Sequence, residues 1–99
     1  MARYDLFSSI DAEGYLLDVQ TGLLDHLKTR VVIPLLPAET TPAPIKRLNP
    51  IFEIGGRKYV LATQLLSAVP VQELTRREHS LSTHHDQIVA ALDMLFQGF

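Results

Sequence analysis

The chain has 99 residues, 46% of them apolar and 20% charged, with a formal net charge of −2 and a pI near 6.0. That length fits one domain, residues 1–99, and leaves no room for two. The acidic balance argues against a nucleic-acid-binding module, because the basic clusters are only the pairs Lys46-Arg47 and Arg76-Arg77, which read as solvated surface charge.

The first half alternates and breaks like β structure. Tyr4–Phe7 and Tyr15–Gln20 are short strand-like runs, with Asp11-Ala12-Glu13-Gly14 between them as a turn. Arg30–Leu36 is rich in β-branched residues, which suit a pleated, buried strand. Pro34 has no N–H to give a ladder, so this strand is expected to end, bulge or lie at an edge there. Pro37–Pro50 carries Pro37, Pro42, Pro44 and Pro50 and reads as an irregular surface loop, with at most a short strand or turn near Ile45. The clearest local signal is Ile51–Ile54, then Gly55-Gly56-Arg57, then Lys58–Thr63, since paired glycines admit the positive φ values of a tight hairpin. Val69–Leu74 reads as one more strand.

The last segment changes period. Leu81, His85, Ile88, Leu92, Leu95 and Phe99 recur at alternating four- and three-residue steps, which places them on one helix face; Val89 and Phe96 widen that stripe. Ser82 or Thr83 is placed to cap the start, and Asp86 suits the first turn. Asp86, Ala90, Asp93 and Gln97 fall on a wetter face. The pattern predicts a mainly β chain that ends in one α-helix.

No motif specifies an active site. There is no cysteine, so disulfides, thiolate nucleophiles and thiol-based zinc sites are excluded and a cytoplasmic location is favoured. The N-terminus lacks the apolar run of a signal peptide, and no apolar stretch approaches the length of a membrane span. His79, His84 and His85 form the one histidine cluster, but adjacent histidines point about 100° apart on a helix and make poor joint ligands. His85 is expected on the core face and His84 in solvent. Gly55-Gly56 is too short for a phosphate loop, and Asp18 and Asp25 carry no recognisable catalytic spacing. No metal or other cofactor is expected. Two features read better as a binding surface. Leu23-Leu24 follow Thr21-Gly22 in a loop and have no period to explain them, so they either pack onto the core or form a contact. The C-terminal Phe96-Gln97-Gly98-Phe99 carries no polar tail, which is expected of an end docked on this subunit or on a partner.

Read in order, the pieces Tyr15-x-x-Asp18-Val19-Gln20, Arg30–Leu35, Leu48-Asn49-Pro50, Ile54-Gly55, Ser67–Pro70 and Leu92–Phe99 resemble the CcdB family of bacterial toxins over nearly the whole chain. The resemblance implies an SH3-like barrel with a five-stranded antiparallel main sheet, a smaller sheet and a long C-terminal helix. It implies a homodimer that is not an enzyme and that poisons DNA gyrase through the A subunit by trapping the gyrase–DNA cleavage complex. The toxin would be neutralised by a CcdA-like antitoxin, which represses the operon, so contact with DNA would come only through the antitoxin complex. Carried over position by position, the gyrase-contacting residues are Leu23, Leu24, Asp93, Gln97, Gly98 and Phe99. Asp93 stands where the family usually has Asn, and Phe99 replaces an aliphatic. Gln97 is the important departure, because well-known family members have Trp there. Two other readings remain: a non-toxic chromosomal homologue that retains antitoxin binding, and a MazF-like endoribonuclease, which the acidic charge disfavours.

Overall fold

The computed structural model describes residues 2–9 and 13–98. The expected turn at Asp11-Ala12 and the last residue, Phe99, lie outside them. Seven strands occur among the described residues: β1 (Asp5–Ser8), β2 (Tyr15–Asp18), β3 (Thr29–Pro37), β4 (Ile51–Ile54), β5 (Arg57–Leu61), β6 (Ser67–Pro70) and β7 (Arg77–Ser80). One helix follows, α1 (His85–Gln97). All neighbouring strands are antiparallel, and their order is β4-β5-β3-β2-β1-β7, with β6 also on β3. The curled antiparallel sheet forms a half-barrel, consistent with an SH3-like barrel. The count of five strands plus a separate smaller sheet needs adjusting. β6-β3-β2-β1-β7 is a five-stranded set, but the β4–β5 hairpin joins the same sheet through the far end of β3.

Period-two alternation builds two cores on opposite faces. Leu6 pairs with Leu17 and Leu17 with Ile33, so three fully buried side chains line up on one face. There they meet Leu35, Phe52, Tyr59, Leu61 and the helix residues Ile88 and Ala91. Phe7 and Val32 point the other way and pack with Leu74, Leu16 and Val69.

β3 holds the fold together and corrects the expectation for Pro34. The strand neither ends nor lies at an edge there: Pro34 is in its middle and opposite Leu16 of β2. β6 pairs with Thr29–Val32 and β5 with Leu35–Pro37, so the two partners on the other side leave a gap at Pro34. The Pro34 carbonyl points into that gap and accepts the Ala62 N–H at 2.9 Å. Carbonyl and amide of one strand residue face the same side, so the donor that proline lacks would have faced a place with no ladder.

Gly55 and Gly56, with φ of +60° and +82°, make the two-residue turn of the β4–β5 hairpin as expected. The Pro37–Pro50 loop opens with a 3-10 turn at Ala38–Thr40 and turns again where the Asn49 N–H reaches the Ile45 carbonyl at 2.8 Å. The strand expected over Val69–Leu74 lies earlier, at Ser67–Pro70, and Val71–Glu73 is a 3-10 turn. β7 had no expectation at all.

The helix begins after a 3-10 turn, Ser82–His84, with neither Ser82 nor Thr83 capping it by a side-chain bond. Asp86 does sit in its first turn. The core face runs through Ile88 and Ala91, with Leu92 packed beside them. The histidine assignment is reversed. His85 is exposed and its Nδ1 lies 2.6 Å from the Tyr4 hydroxyl. His84 is half-buried with its ring 4.9 Å from that of Phe52. The periodicity ran through His85, but the helix is rolled so that the small Ala91 meets the sheet. No described helix is long and apolar enough to cross a membrane.

Candidate interaction surface

β2 leads into a loop whose residues 21–29 are all exposed. Its first turn is 3-10, Gly22–Leu24, opened by the Thr21 hydroxyl, which accepts the Leu23 N–H at 3.3 Å. None of the three turn residues is buried. Leu23 is 87% exposed, so it does not pack onto the core, while Leu24, at 39%, is partly covered. An apolar side chain held in water, as Leu23 is, carries a cost of about 1.5–3 kcal/mol relative to full burial. Such a tip is what a contact surface requires.

The loop is shaped by polar bonds. At its base the Gln20 side chain acts as a substitute strand residue: its Oε1 accepts the Val31 N–H at 3.0 Å and its Nε2 donates to the Thr29 carbonyl at 3.3 Å. Beneath it lies Arg30, 1% exposed, against Asp18, which is fully buried. Arg30 Nε and Nη2 donate to the two Asp18 carboxylate oxygens at 2.9 and 3.0 Å. Nη2 also reaches the Gln20 carbonyl at 2.8 Å, and Nη1 reaches Asp25 Oδ1 at 3.1 Å and the Thr21 carbonyl at 3.5 Å. A guanidinium has five N–H donors, and each finds an acceptor here. Burial pushes the Asp18 carboxyl above its ordinary range, while the bonds from Arg30 and from the Gln20 N–H pull it back. Sequence reasoning missed this network. The available signal was Arg30 itself, a charged residue at the head of a β-branched run, with Asp18 at the end of the preceding strand.

The other predicted contact residues lie at the end of α1. Asp93 is half-buried and Gln97 exposed, and the Gln97 Nε2 donates to Asp93 Oδ1 at 3.4 Å, one helical turn away. Gly98 is exposed and ends the helix, its N–H on the Met94 carbonyl at 3.1 Å. Phe96 is 69% exposed, and Leu65, in a 3-10 turn of the segment the helix packs on, is 54% exposed. The structure thus brings Asp93, Gln97 and Gly98 together at one helix end and places Leu23 and Leu24 on a separate loop tip. The three clustered histidines are spread over three aromatic rings: His79 by Tyr15, His84 by Phe52 and His85 by Tyr4.

A curled antiparallel sheet with one C-terminal helix defines a small β-barrel-like protein, and this one exposes an apolar loop tip and a helix end. The family model for CcdB protein matches residues 3–98. The chain belongs to the CcdB family, and it is a toxin of the toxin–antitoxin kind.

Proposed function

We propose that this toxin is not an enzyme and that it poisons DNA gyrase by binding the A subunit and trapping the cleavage complex. The observation that carries the reading is the Leu23-Leu24 tip, apolar and solvent-exposed yet held in one shape by polar bonds. The helix end supplies the second patch, Asp93, Gln97 and Gly98, and Phe99 is the next residue in sequence. The active form is a homodimer. Exposed Phe96 and Leu65 leave apolar surface on the helix side, and an isologous interface there buries both copies at once. A CcdA-like antitoxin with a disordered segment neutralises the toxin by covering part of this surface, since such segments wrap wide areas as they order.

A second reading has one specific observation in its favour. Gln97 replaces the aromatic anchor of well-known relatives and its amide is occupied by Asp93. That polar pair fits a homologue that has kept antitoxin binding and lost toxicity. The test is induced expression in bacteria with wild-type or resistant gyrase, paired with cleavage-complex formation in vitro. Growth arrest that resistant gyrase relieves is expected; unimpaired growth with both gyrases supports the second reading. Site-specific cutting of a long single-stranded RNA, lost in point mutants, would overturn both.

A further inference from the structure

We propose that Arg30 is a positioning residue: its guanidinium, anchored on Asp18, holds the Gln20–Asp25 segment so that the Leu23-Leu24 tip is presented ready-shaped to its target. The inference rests on the contact surface proposed above and assigns the device that sets its geometry.

Three observations lead to it. None of the tip's turn residues is buried, so the core does not enclose it. Within the loop, order comes from short-range bonds: Leu24 N–H to the Thr21 carbonyl, Asp25 N–H to the Gly22 carbonyl and Leu27 N–H to the Leu24 carbonyl, at 3.2, 3.2 and 3.1 Å. Isolated turns of this kind are weak, because fixing each residue costs about 1–2 kcal/mol of backbone entropy against one hydrogen bond. Arg30 is what ties those turns to the rigid sheet. It lies on β3, paired with Val69 of β6, and three of its acceptors, the Gln20 and Thr21 carbonyls and the Asp25 carboxylate, bracket the tip from both sides.

The chemistry of the pair points the same way. A buried ion pair is a poor source of stability, because desolvation offsets most of the attraction, and apolar replacements of similar volume are often neutral or better. What an Arg with all five donors engaged supplies is a fixed direction for every partner. Ordering the tip before contact removes part of the entropy cost of association. Arg30 touches the target nowhere in this scheme; it acts through the loop.

The decisive variant is Asp25→Ala. It removes the arm that closes the far side of the tip at a side chain 53% exposed, and leaves the buried Asp18–Arg30 pair intact. Hydrogen exchange at the Leu24, Asp25 and Leu27 amides should speed up about tenfold, with gyrase A binding weakened by about the same factor and the thermal midpoint unchanged. Asp25→Asn keeps an acceptor oxygen and should restore most of both. Leu23→Ala should weaken binding without loosening the loop. Unchanged exchange in Asp25→Ala overturns the proposal. So does faster exchange with wild-type binding while Leu23→Ala binds weakly. If Leu23→Ala binds as well as wild type, the contact surface itself has been misassigned, and the exchange rates then decide alone whether Arg30 orders the loop.

Discussion

Replacing Arg30 by methionine should unfold much of the protein at neutral pH and far less of it in acid. Asp18 is fully buried and takes two hydrogen bonds from Arg30, one to each carboxylate oxygen. Removing the guanidinium leaves that carboxylate with the bond from the Gln20 N–H, at 3.0 Å. Breaking one side of a buried pair costs about 3–5 kcal/mol. For a domain of this size each kcal/mol moves the thermal midpoint by about 4–8 °C, so the fall should be on the order of 15–30 °C. The pH dependence identifies the cause. Burial already raises the Asp18 carboxyl against the pull of Arg30 and of the Gln20 N–H, and without Arg30 only the Gln20 bond opposes it. A carboxyl whose folded pKa exceeds its unfolded value binds its proton more tightly when folded. Its favourable contribution is therefore complete below the unfolded value, about 3.9, and disappears as pH rises through the folded one. The difference in stability between wild type and Arg30→Met should be small near pH 4 and reach its full size by pH 8. Asp18→Leu/Arg30→Met removes both charges and should recover most of the loss at every pH, at the expense of the bond to the Gln20 N–H. Urea denaturation of the three proteins at several pH values measures all of this. An Arg30→Met deficit that is the same at pH 4 and pH 8, or a double variant no more stable than the single one, would refute the reasoning.

Gln97→Trp should strengthen gyrase cleavage-complex formation by roughly thirtyfold, the size of a good aromatic anchor worth about 2 kcal/mol; position 97 is exposed, so the fold should be untouched, and unchanged potency in a folded protein counts against the helix end as a contact. Light scattering after size-exclusion chromatography should give twice the 11.1 kDa chain mass, and Phe96→Glu should shift it toward one chain; a wild-type monomer at tens of micromolar would exclude the dimer. Gly14→Ala should cost about 3 kcal/mol or more, because φ is +136° and the new Cβ would stand 2.2 Å from the Leu35 carbonyl oxygen in β3. Gly22→Ala, with no positive φ and open space around it, is the near-neutral control in the same denaturation experiment.

What the amino-acid order determined by itself is the part of this protein governed by near neighbours. Paired glycines at 55 and 56 impose a hairpin because of the φ values they alone accept readily. The apolar steps after residue 80 impose a helix, and the β-branched run at 30–36 imposes a strand. The apolar loop residues at 23 and 24 stood out in the same way, because no period claimed them. Tertiary structure decided everything that depends on a distant partner. β7 is exposed along its whole length and shows no apolar alternation; it is a strand because β1 offers it a ladder. Pro34 sits in a central strand because two other strands stop on either side of its missing donor. His84 and His85 trade the places expected of them because α1 is rolled so that Ile88 and Ala91 enter the core, a matter of packing that helical period leaves open. Asp18, Arg30 and Asp25 read as three unrelated charges along the chain. Folding β2 against β3 brings Asp18 onto the Arg30 guanidinium, and burial makes that pairing obligatory, because a charge removed from water must find its partners within the protein; the half-exposed Asp25 joins them from the loop.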